Sequence, residues 1–232
     1  MMNVAISLSS FMIAYCVATG ALNWIVYRTL RRRYQGVDLG KMAFEVAALL
    51  QFILWTPLAL GVYAVDSLYL FAIPMARELY DFVLIWEVDR RGFTDHYRSF
   101  ILGHHINSSL ARLVLAAATL WLFSGDAVRV CFQYHLLYYC CSIFLVAPLA
   151  VERLLLDKNS PRARAISRTI FFILARVTHI SVLPLIAAFA WKSLPAGPAL
   201  GYSMLVALMV GFNEYHSVVS GLPLVRKAWN EV

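Results

Sequence analysis

Residues 4–33, VAISLSSFMIAYCVATGALNWIVYRTLRRR, decide how the chain is read. From Val4 to Tyr27 no side chain is charged, and Arg28, Arg31, Arg32 and Arg33 follow. A bilayer core about 30 Å thick takes about 20 apolar residues in a helix. A cleaved signal peptide carries positive charge ahead of its apolar run, and here only Met1, Met2 and Asn3 stand ahead. The stretch therefore reads as a retained anchor with its N-terminus outside and its basic end in the cytoplasm.

Six further apolar segments follow, over residues 42–65, 67–88, 99–123, 128–151, 167–191 and 198–221. The expected class is all-α: a polytopic membrane protein of seven helices. Composition agrees. The 232 residues are 61% hydrophobic and 14% charged, with mean hydropathy +0.70, against about 45–50% and about 25% in a soluble domain. Too few polar residues remain to cover a soluble globule. This excludes a soluble enzyme, a nucleic-acid module and a disordered tail.

Orientation checks the segment count. Cytoplasmic loops collect Lys and Arg. With the N-terminus outside, 15 of the 20 basic residues fall on inner loops or the tail, Arg129 and Lys192 fall outside, and Arg77, Arg112 and Arg176 lie within segments. The net charge of +7 is therefore a topology signal, and nucleic acid is not an expected partner. The four cysteines, Cys16, Cys131, Cys140 and Cys141, all lie in apolar runs without zinc-site spacing. They read as packing residues.

Ionisable groups inside a bilayer each need a partner or a role. In the fourth segment His104, His105, Ser108, Ser109 and Arg112 share an arc of about 140° at 100° per residue. The third carries Arg77, Glu78 and Asp81, spaced to meet on one face. The sixth carries Arg176 and His179, and the seventh Asn213, Glu214, His216 and Ser217. With a rise of 1.5 Å per residue these groups lie roughly 8–13 Å in from the inner ends of their segments. They are expected to converge in the cytoplasmic half.

Several of them also have structural readings. Arg77 and Asp81 would form a salt bridge, His135 and His179 would be satisfied by nearby carbonyls, and Arg112 would pair with an acid across the bundle. The His104–His105 pair resists that treatment. A histidine near neutrality takes or returns a proton at an amine or hydroxyl, and an acid such as Asp81 can fix its tautomer. No metal is expected. Membrane di-iron enzymes need about eight histidines in closely spaced boxes, and the six here include no pair three or four apart.

In order and spacing, Leu79-Tyr80-Asp81-Phe82, His104-His105, residues 171–184 (FFILARVTHISVLP) and residues 211–227 (GFNEYHSVVSGLPLVRK) resemble the TLC-domain family of ceramide-synthase-like membrane proteins. The likeness spans roughly residues 42–227. It implies a six-helix barrel around a lipid-accessible cavity, preceded by an extra N-terminal helix. The division is then residues 1–41 as anchor and basic loop, and 42–232 as the TLC-like domain. It also implies an endoplasmic-reticulum-type membrane with a cytoplasmic C-terminus. The chain departs from the ceramide synthases, since no paired aspartates follow Asp126 in the fifth segment. A fatty-acid elongase is the lesser resemblance, on His104-His105 with His135 and Tyr138-Tyr139, but that family's H-x-x-H-H is absent because positions 101 and 102 are Ile and Leu.

The expected activity is acyl-CoA-dependent N- or O-acylation of a long-chain, sphingoid-type lipid. His104 and His105 would act as base or nucleophile and Asp81 would orient them. Ser108, Arg112, Arg176, Asn213, Glu214 and His216 would bind substrate. Acyl-CoA would be a co-substrate rather than a bound cofactor. The expected partners are membrane lipids, with a homo-oligomer compatible with the same surface. The alternative is a non-enzymatic lipid-binding, homeostasis or trafficking protein. A small-solute transporter is disfavoured by an odd span count without repeats.

Overall fold

The computed structural model describes residues 2–32, 39–63, 65–89, 95–144 and 160–232. Among them are seven helices and no strand: α1 (Met2–Arg31), α2 (Leu39–Ala59), α3 (Ser67–Asp89), α4 (Asp95–Leu122), α5 (Asp126–Phe144), α6 (Pro161–Ser193) and α7 (Ala196–Asn230). The described part of each apolar segment lies largely on one of them, so the described residues are all-α. One helix, over Ser7–Arg31, is by length and composition able to cross a membrane (25 residues, mean hydropathy 1.4). In the other six, polar, charged and imidazole groups interrupt the apolar runs. Shorter apolar stretches remain, such as Val46–Ala59, Ser109–Leu122, Ile180–Ser193 and Ala196–Phe212.

Local chemistry sets several ends. Ser160 caps α6, its Oγ accepting from the Ala163 amide at 3.4 Å. Pro161 follows at the first helical position, where a missing N–H costs nothing. Gly125 turns the chain between α4 and α5 at φ +57, a conformation glycine adopts without penalty. Only Leu194 and Pro195 separate α6 from α7, which pack along each other.

The central element is α5, which packs against α2, α3, α4 and α6. Its Phe132, Leu136, Tyr139 and Cys140 join Trp55, Leu70 and Ile73 in one buried cluster. Its Cys131 and Tyr138 join Leu115, Ile186, Tyr202 and Val206 in a second. A helix that buries residues on opposite flanks belongs in an interior. Thus α1, α2 and α3 lie on one side of α5 and α6 and α7 on the other, while α4 bridges α3 and α7.

Polar bonds tie α1 into its side. Gln51 donates to Thr19 Oγ1 at 2.9 Å and accepts from the Arg77 guanidinium. Asn23 donates to the Tyr80 hydroxyl at 2.8 Å, and Arg77 lies over the Tyr80 ring. Thr19, Gln51 and Arg77 are all buried. The expected partner of Arg77, Asp81, lies on α3, but its side chain is outside the described residues.

Candidate functional site

One buried ion pair, one half-buried ion pair and one hydrogen-bonded relay organise the described polar groups. On α4, Arg112 Nε lies 3.4 Å from Glu78 Oε1 of α3, both side chains being under 10% exposed. Its guanidinium also sits 4.2 Å from the Tyr139 ring centroid on α5. This is the acid across the bundle that the structural reading of Arg112 called for, in place of its expected role in binding substrate. It is Glu78, which was not among the expected substrate ligands.

The second pair joins α6 to α7. Arg176 Nε lies 3.2 Å from Glu214 Oε2, Arg176 Nη1 donates to the Glu214 carbonyl at 3.4 Å, and the Phe172 ring lies under the guanidinium. Gly221 makes this stacking fit, because a Cβ there would meet Phe172 Cδ2 at 3.0 Å. Arg176 and Glu214, both expected to bind substrate, thus bind each other. Arg112 belongs to a different pair.

Sequence reasoning missed the relay. The Tyr202 hydroxyl is 2.9 Å from His135 Nε2 and 2.8 Å from Thr119 Oγ1, and the His135 and Tyr202 rings are stacked. His135 is therefore satisfied by a phenol on α7 rather than by the carbonyl expected for it. The only sequence signal was an inward-facing tyrosine on the last helix. His135, Arg112 and Tyr138 share a cavity of about 20 Å³ with Leu115 and Met209, room for about one water.

On the other side of Leu115 and Met209 lies a groove of about 810 Å³ along the seam between α4 and α7. Asn107 is the one lining residue with a polar side chain; the rest are Ala, Val, Leu, Met, Gly and Phe. That volume suits a small-molecule site.

The other expected site residues divide by helix: Asp81 on α3, His104, His105 and Ser108 on α4, Asn213 and His216 on α7. Their side chains, like that of His179, lie outside the described residues. Among the described residues no group of three or more His, Cys, Asp or Glu could hold a metal.

Tyr202→Phe tests the relay. It leaves Thr119 its bond to the Leu115 carbonyl at 2.8 Å but strands the His135 imidazole. A buried polar group left unpaired costs about 1–3 kcal/mol. Thermal melting in detergent should register that loss, and an unchanged melt would mean His135 does not depend on the phenol. No protein-family model, curated protein or solved structure matches this chain.

Proposed function

We propose that the chain is a seven-span membrane protein of lipid metabolism, with its N-terminus outside and its C-terminus in the cytoplasm. The supporting observation is where apolar side chains sit. On α6 an exposed stripe runs through Ile166, Ile170, Ile173, Val177, Ile180, Leu185 and Trp191, about 38 Å at 1.5 Å per residue. On α7 Leu200, Met204, Leu208, Phe212, Tyr215 and Val219 are exposed over about 29 Å. Soluble monomers rarely leave such continuous apolar surface in water, whereas a bilayer core needs about 30 Å of it. Charged Arg77, Glu78 and Arg112 are buried instead, as expected of ionisable groups in lipid.

Within that frame, the proposed activity is acyl transfer from acyl-CoA to a lipid amine or hydroxyl, with His104 and His105 as base or nucleophile, Asp81 orienting them, and a TLC-type fold in an endoplasmic-reticulum-type membrane. The second reading, lipid binding without catalysis, draws on the mutual pairing of Arg112 with Glu78 and Arg176 with Glu214. That pairing gives these groups a structural role.

The test has two stages. The protein should resist alkaline carbonate extraction and require detergent. A purified sample given labelled acyl-CoA and bilayer lipid should then form an acylated lipid. Loss of a general base costs about 10²–10⁴-fold, so His104→Ala or His105→Ala should lower product by at least about 100-fold. Full activity in both variants rejects the catalytic assignment. Absence of product, with co-purifying lipid, selects the second reading.

A further inference from the structure

We propose that the groove between α4 and α7 holds one hydrocarbon chain of a membrane amphiphile, tail toward Tyr202 and polar group beyond Asn107. The inference rests on the lipid-handling reading above and adds a place and an orientation.

The groove has a closed end and a polar end. Beyond Leu115 the two helices are joined by Thr119 and Tyr202 at 2.8 Å and by the edge-on rings of Phe123 and Tyr202 at 5.1 Å. Nothing longer than the groove can continue past that lock. At the other end stands Asn107, the one polar side chain of the lining. From Asn107 to Leu115 the wall is about 12 Å long.

That length separates two occupants. A membrane helix packs along most of a span about 30 Å deep, against small residues that let backbones approach. This groove covers less than half of that depth. A flexible chain fits a slot that short, and a spanning helix does not. The neighbouring Met204 and Leu208 are more than half exposed, so the slot opens sideways to the hydrocarbon phase.

In the sequence His104 stands three residues before Asn107, and His216 four after Phe212.

The full chain in phosphatidylcholine vesicles is irradiated with a long-chain diazirine fatty acid, and adducts are mapped by peptide mass spectrometry. Saturable labelling should concentrate on residues 107–115 and 204–212. Ala111→Phe and Ala207→Phe, filling opposite walls, should each reduce it about tenfold, equivalent to about 1.4 kcal/mol. Leu113→Phe, outside the lining and 49% exposed, should leave it unchanged. Labelling spread evenly over outward faces, labelling indifferent to both fillings, or a protein helix cross-linked into the groove overturns the proposal. Should neither filled variant fold, competition by unlabelled fatty acid on the unmodified chain decides: labelling that cannot be competed away overturns it. Release of the chain by carbonate defeats the membrane reading itself. Retention with unsaturable labelling defeats only the groove.

Discussion

Glu78→Leu should destabilise the protein by about 3–5 kcal/mol, the range for removing one partner of a buried ion pair. The cost comes from what remains. Arg112 is 9% exposed and, among the described residues, would keep its charge with the Tyr139 ring, 4.2 Å away, to receive it. A desolvated cation over an aromatic face gains about 2 kcal/mol or more, still less than the several kcal/mol that a buried charge costs. The double variant Glu78→Leu/Arg112→Met should recover most of the loss, because well-packed apolar replacements of buried pairs are often neutral. Melting in detergent of both single variants and the double measures the coupling. A double variant as unstable as the two singles combined would mean the residues act independently.

The second large effect is expected at the centre of the bundle. Phe132 on α5 is fully buried, its ring 5.6 Å from that of Phe71 and 6.0 Å from that of His135. In an aqueous protein Phe→Ala costs about 3–5 kcal/mol, from lost transfer energy and from the cavity left behind. In a bilayer the unfolded helices stay in hydrocarbon as apolar as the core, so the transfer part vanishes. Lost dispersion contacts and the cavity remain. Phe132→Ala should therefore cost about 2–3 kcal/mol, read from reversible unfolding in mixed micelles. A value at the aqueous upper limit would argue against a membrane-embedded reference state.

Helix identity was legible in the sequence because hydropathy reports burial of any kind. Helix ends were less so. The sixth segment, read as starting at residue 167, begins at Pro161. Its first turns carry Arg162, Arg164 and Arg168, which hydropathy rejects, although Ser160-Pro161 is a start signal in its own right. Likewise α7 runs through Pro223 to Asn230, past the apolar limit at residue 221, because a helix keeps its hydrogen bonds after its apolar run ends.

The candidate site was legible in part. Arg176 and Glu214 were singled out, and so was the need for an acid opposite Arg112, since each follows from the cost of burying a charge. Pairing them correctly requires knowing that α6 runs beside α7 and α4 beside α3. No periodicity contains that. The relay from His135 through Tyr202 to Thr119 joins residues 67 and 83 positions apart. It was illegible because a tyrosine in an apolar run looks like any other packing residue.

The position of α5 carries a consequence for biogenesis. As the nascent chain leaves the ribosome, α5 finds partners for its Phe132 and Leu136 flank in α2 and α3, already made. Its Cys131 and Tyr138 flank waits for the hairpin of α6 and α7, roughly 4–17 s of further synthesis. Throughout that interval an unfinished polypeptide presents a raw seam to quality control. A premature stop codon before the hairpin should yield a product cleared rapidly by degradation.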